Sequence, residues 1–217
     1  MSIINLYLIL YNSVQLFGWT LFFSKVTLDL IKSKSLPEIY EDTHYILQCC
    51  QYGASLEILH SLIKLVKSSV FATSIQIFGR MAIVAILQYF RSSVSFGYLL
   101  LYFAWSLVEM IRYPYYIFKI IKSEYKSFDV PYLLVWCRYS FFVVLYPIGV
   151  SGEMITIWHS RKDLQNYNIT SNFTVADLVY PIYVLYAPPL IFLYSYLFKQ
   201  RNKELKKAHE EKKIKKQ

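Results

Sequence analysis

The sequence predicts an all-α polytopic membrane protein, a single bundle of six transmembrane helices. Three observations carry that prediction. The first is that the 217 residues are 56% hydrophobic and only 17% charged, below the quarter usual in soluble domains. The second is segregation of the apolar residues into six blocks of twenty or more, roughly 3–23, 45–66, 70–90, 96–121, 132–158 and 179–198. Each is long enough to cross a ~30 Å hydrocarbon core at 1.5 Å per residue. The third is the unequal placement of Lys and Arg between alternate loops. A soluble core of six buried helices is the competing reading, but a chain this short lacks the polar helix faces to enclose one. Residues 1–198 are therefore expected to form the six-span membrane domain, and 199–217 a basic tail.

Span 1, "NLYLILYNSVQLFGWTLFFSKV", is too long for a signal-peptide core and has no basic segment before it, so it is expected to be retained. Span 2 carries Glu57, His60 and Lys64 at i, i+3 and i+7, one helical stripe. His60 is expected to hydrogen-bond within the bundle, since no second His or Cys supports a metal site. Span 3 holds Gln76 and Arg80, four apart. Span 4, "FAWSLVEMIRYPYYIF", sets Trp105, Glu109, Arg112, Tyr113 and Tyr116 at three- and four-residue steps. An ionisable group inside a span costs roughly 2.5–3.5 kcal/mol on insertion scales, so these are functional candidates as well as scaffold ion pairs. Cys49, Cys50 and Cys137 lie inside spans with no metal or disulfide spacing and are read as packing residues.

Span 5, roughly 132–158, contains "RYSFFVVLYPIGVSGEM". It has Arg138, and then Tyr139, Phe142, Tyr146, Gly149 and Glu153 along one face. Tyr146 and Glu153 are seven residues apart, a rotation about 20° short of two turns and a rise of about 10 Å. Pro147 removes a backbone donor and Gly149 a side chain, so the helix is expected to kink and open a crevice there. A phenol and a carboxyl group on one apolar crevice suit proton transfer.

The loop before span 6 contains two glycosylation patterns, Asn168-Ile169-Thr170 and Asn172-Phe173-Thr174, usable on a lumenal surface. After span 6 the tail "KQRNKELKKAHEEKKIKKQ" is read as a solvated end near anionic lipid, with no nucleic-acid role. Lys213 and Lys215 have the spacing of a dilysine retrieval signal. With the N-terminus cytosolic, fourteen of the 23 Lys and Arg residues fall on the cytosolic side and six on the other. Both termini are therefore expected in the cytosol.

The strings "LYLILYN" and "GW" in span 1, "ASLEILH…LVKSSVFAT…Q…R" across spans 2 and 3, "AWSLVEMIRY", "RYSFFVVLYPIGVSGE" and "QRNKELKK" follow the order of one family. The chain resembles the very-long-chain 3-hydroxyacyl-CoA dehydratases of the endoplasmic reticulum membrane, formerly called protein-tyrosine-phosphatase-like proteins. That resemblance implies a hydro-lyase of fatty-acid elongation, converting (3R)-3-hydroxyacyl-CoA to trans-2-enoyl-CoA. It implies Tyr146 and Glu153 as the catalytic pair, no cofactor or metal beyond the CoA thioester substrate, and other elongation enzymes as partners. Arg138, Tyr139, Glu109, Arg112 and Tyr113 are expected to support the pair, and Lys119 and Lys122 to face the CoA head. The chain departs from the family pattern at Lys64, where a small residue, usually Gly, is expected, and at Gly79, which replaces a Ser. The alternative is an inactive membrane scaffold or small carrier of the same fold. A carrier is disfavoured by the lack of an internal repeat between the halves.

Overall fold

The computed structural model describes residues 1–125, 127–170 and 173–214. It is helical almost throughout: α1 (Ile3–Ile31), α2 (Leu36–Ala54), α3 (Leu56–Leu62), α4 (Val70–Tyr89), α5 (Phe96–Glu124), α6 (Tyr132–Ser140), α7 (Phe142–Leu164) and α8 (Val179–Ile214). A two-stranded antiparallel hairpin, β1 (Asn168–Thr170) and β2 (Phe173–Thr174), links α7 to α8. Asn168 lies on its exposed strand, whereas Asn172, Lys126 and Lys215 lie outside the described residues.

The polar punctuation sets the helix ends. Ser2 accepts from the Asn5 N–H at 3.1 Å, Ser69 accepts from that of Ala72, and the Glu38 carboxylate takes the Ser35 N–H at 2.8 Å beside Pro37. Two helices end in the same way. Ser33 (φ 55°) and Lys64 (φ 58°) adopt the left-handed conformation just past α1 and α3. The Lys34 N–H then reaches Asp29 O at 3.1 Å, and the Leu65 N–H reaches His60 O at 2.9 Å.

This corrects the expected span 2. The rod starts at Leu36, tightens at Ser55 and stops at Leu62, so Lys64 does not extend the Glu57–His60 stripe. Span 5 likewise divides at Phe141, and Pro147 sits inside the continuous α7.

Among the described residues four segments are long and apolar enough to cross a membrane: Ile3–Ile31, Val70–Tyr89, Tyr132–Leu164 and Val175–Lys207. Six were expected. The two that fall short are the α2–α3 rod, which is polar and tightened at its centre, and α5. The latter is 29 residues long but carries Glu109, Arg112 and five tyrosines. It is also the central helix, packed chiefly against α7 and α1, with Tyr98, Tyr113, Trp105 and Glu109 buried. A helix enclosed by protein has no need of a lipid-compatible surface.

Around α5, α1 packs on α2, α2 and α3 on α4, α4 on α7, and α8 on α6 and α7. Gly97 and Gly152 bring α5 and α7 together: a Cβ on Gly152 would lie 2.9 Å from the Gly97 carbonyl oxygen. Cys50 packs its sulfur over Gly18, and no described cysteine forms a disulfide. At the end of the bundle holding the α1–α2 turn, Lys25 and Lys34 both reach Asp29 and Asp42. Lys34, then Lys25, hold the Asp42 carboxyl below the usual carboxylate range.

Candidate active site

The site is assembled on the face of α7 that carries Tyr146, Gly149 and Glu153. Gly149 removes the side chain that would hold α5 away: a Cβ there would meet Ala104 Cβ at 3.4 Å and Trp105 Nε1 at 3.7 Å. The indole nitrogen therefore lies over the α7 surface between the phenol and the carboxyl group. Glu153 has the Arg80 guanidinium and the Trp105 indole as its electrostatic neighbours, and Tyr146 has Glu153 and Arg80. Arg80 stacks over the Trp105 ring, 5.2 Å from its centroid. Four groups from α4, α5 and α7 thus share one crevice.

The eighth helix closes it. Tyr194 stacks on Tyr146, with ring centroids 5.5 Å apart and planes 18° from parallel. Its hydroxyl donates to the Val143 carbonyl at 3.2 Å. That carbonyl is the one left without a helical partner because Pro147 has no N–H. The same proline frees an acceptor that seats α8.

Behind Arg80 lies a chain of alternating charge. Arg80 pairs with Glu109 Oε1, and Arg112 Nε donates to Glu109 Oε2 at 2.5 Å. Arg112 then makes two 2.6 Å bonds to the two oxygens of Glu57. Tyr113 donates to Glu57 Oε1 at 2.9 Å, and Tyr11 to the same atom at 3.4 Å. Buried charges persist only when paired and hydrogen-bonded, and here both oxygens of each acid are occupied. His60 is buried between Tyr7 and Tyr11, and its Nε2 bonds the Tyr7 hydroxyl at 2.8 Å. Among the described residues no three His, Cys, Asp or Glu side chains are grouped to hold a metal.

The expected supporting residues divide into two groups. Glu109, Arg112 and Tyr113 reach the pair through Arg80. Arg138 and Tyr139 instead join Tyr116 and Tyr115 on α5, by bonds of 3.2 Å in each case. Lys119 lies over the Tyr115 ring at 5.6 Å, and Lys122 pairs with Asp129 at 3.8 Å, both near the end of α5 where the tail emerges. Sequence reasoning gave Arg80 only a scaffold role alongside a possible chemical one, and it gave Tyr194 none. The signal for Arg80 was its charge within an apolar span. The signal for Tyr194 was the orphaned carbonyl that any helix-interior proline creates.

Comparison with known proteins adds a further set of findings. The family model for "Protein tyrosine phosphatase-like protein, PTPLA" matches residues 51–207. The chain is 32% identical over 213 residues to the very-long-chain (3R)-3-hydroxyacyl-CoA dehydratase hpo-8 of Caenorhabditis elegans, covering 93% of this chain and 95% of that protein. It is 32% identical over 219 residues to the very-long-chain (3R)-3-hydroxyacyl-CoA dehydratase 2 of Homo sapiens, covering 96% and 84%. It is also 32% identical over 206 residues to a probable dehydratase of that name in Schizosaccharomyces pombe, covering 93% and 94%. No solved structure matches the chain.

Proposed function

The chain belongs to the protein tyrosine phosphatase-like protein family, and on that premise we propose that it dehydrates very-long-chain (3R)-3-hydroxyacyl-CoA to the trans-2-enoyl-CoA. The observation that carries this reading is Tyr146 and Glu153 on one face of α7 with the Arg80 guanidinium as electrostatic neighbour of both. Dehydration breaks the C2–H and C3–O bonds, forms the C2=C3 double bond and releases water. One group must take the α-proton and one must protonate the departing hydroxyl, and Tyr146 and Glu153 supply both from one face. Negative charge builds on the thioester oxygen in between, and the Arg80 guanidinium is the cation nearest to it. Neither transfer consumes or releases a net proton, so the pair resets by passing one proton between its members.

The same reading extends to the surroundings. The chain acts in fatty-acid elongation alongside the other enzymes of that cycle, in the endoplasmic reticulum membrane, as six spans with both termini cytosolic. The charge asymmetry of the loops supports that orientation.

The test is direct. The chain is expressed in microsomes, given a long-chain 3-hydroxyacyl-CoA, and enoyl-CoA formation is followed for the wild type, Tyr146→Phe and Glu153→Gln. Activity in the wild type and its loss in both variants, at equal protein levels, is expected. A wild type inactive across chain lengths would instead favour a scaffold.

A further inference from the structure

Arg138 is the cation that the charge chain leaves out. Among the described residues no carboxylate bonds to it; its neighbours are the Tyr116 and Tyr139 phenols and the Arg112 guanidinium. Arg112 is already saturated by Glu57 and Glu109, so it offers Arg138 only like charge. The Arg138 Nε is buried without a hydrogen-bond partner. A guanidinium in this state normally has a missing anion. It also lines a cleft with Val108, Ile111, Cys137, Phe141 and Phe142, at the junction of α6 and α7 against α5.

The aromatic wall of the cleft is shared with the candidate site. Phe142 meets the Tyr194 ring edge-on at 5.7 Å, and Tyr194 is the ring stacked on Tyr146. Charge of both signs lies on the same side, where the Glu204 carboxylate is an electrostatic neighbour of Tyr139. Arg201 of α8 donates to the Ser140 hydroxyl at 3.3 Å, and Lys119 lies over Tyr115.

Length decides what the anion can be. Along the α6–α7 rod, Arg138 stands about 12 Å from the level of Tyr146 and about 22 Å from that of Glu153, with the midpoint at roughly 17 Å. The phosphopantetheine arm of a CoA thioester has about 13 covalent bonds between sulfur and phosphorus, extending to roughly 16 Å. A thioester held between the two catalytic side chains therefore brings the arm's phosphate to the level of Arg138.

Resting on the dehydratase reading, we infer that the cleft at the α6–α7 junction is the passage for the phosphopantetheine arm, and that Arg138 binds its phosphate. The amide-rich arm lies along Val108, Ile111 and Phe142. Arg201 and Lys119 flank the exit toward the rest of the nucleotide.

Two thioesters of the same 3-hydroxyacyl chain test this, one on phosphopantetheine and one on pantetheine without phosphate. In the wild type the phosphate lowers KM by roughly tenfold to a hundredfold, the strength of a charge-assisted bond. In Arg138→Gln that discrimination falls to near unity, while Arg138→Lys keeps part of it. A general packing defect would raise both KM values and leave their ratio unchanged. An Arg138→Gln protein that still discriminates, or a wild type that turns over both thioesters with equal KM, overturns the inference and leaves the dehydratase reading standing. A wild type inactive on both but active on the full CoA thioester also overturns the inference, whereas one inactive on the CoA thioester as well fails the dehydratase reading itself.

Should the variant not fold, Cys137 reports on the same cleft with Cys49 and Cys50 replaced by Ser and Ala. The phosphopantetheine thioester is expected to slow alkylation of Cys137 more than the pantetheine thioester does. Equal protection by the two, or protection by a free long-chain fatty acid alone, counts against the inference.

Discussion

Arg80 joins two populations of charge: the closed chain of Glu57, Arg112 and Glu109, and the open pair of Tyr146 and Glu153. Glu109 engages one guanidinium nitrogen, and no bond to a described residue is made by the others. If Arg80 carries the charge of the transition state, Arg80→Gln should lower kcat by ~10²–10³ with little change in KM, and Arg80→Lys should recover part of the loss. Steady-state enoyl-CoA formation in detergent would show it. A fall in KM affinity with kcat intact would assign Arg80 to binding. At this scale the sequence was informative about which residues matter and silent about their connections. Spacing put Tyr146 and Glu153 on one face. It could not show that Arg80, 66 positions before Tyr146 in the chain, would lie beside it, because that contact depends on how α4 meets α7.

Backbone conformation dominates at the scale of the helices. Lys64, at the position where the resemblance implied a small residue, adopts φ 58° just past the end of α3. A side chain in the left-handed region is disfavoured by about 1 kcal/mol, so Lys64→Gly should raise stability by up to that amount, measured as thermal unfolding in detergent. The departure at Gly79 is of the opposite kind. A Cβ there would meet nothing within 4 Å, whereas one on Gly152 would press on the backbone of α5. Gly79→Ala should therefore be neutral or stabilising by about 1 kcal/mol, and Gly152→Ala destabilising by about 1–3 kcal/mol. Helix limits were the least legible feature. Hydropathy marks the apolar length, yet α1, α7 and α8 run past it, because capping and charge pairs, not apolarity, decide where a helix ends.

For the whole molecule, the all-α class and the membrane setting followed from apolar blocks alone, and four of them are borne out as segments able to cross. The other two escape a composition test for different reasons. On α5, Tyr98, Tyr102, Glu109, Arg112, Tyr113, Tyr115 and Tyr116 all find partners from other helices, so its average character reflects the interior of the bundle and not the lipid around it. Orientation is a matter of the complete charge distribution. Tags at either terminus should be accessible to antibody in cells whose plasma membrane alone is permeabilised, and changing both Asn168 and Asn172 to Gln should remove any glycan on that loop. A tag protected until the reticulum is opened would reverse the topology.

The bond from Tyr194 to the Val143 carbonyl has a consequence for inheritance. The acceptor is a main-chain atom, so substitutions at 143 leave the bond untouched and can accumulate freely. Position 147 is different: replacing Pro147 with any other residue returns an N–H to the ladder, which competes for the same carbonyl. The bond therefore depends on codons 147 and 194 together, and a lineage that loses one is released from keeping the other.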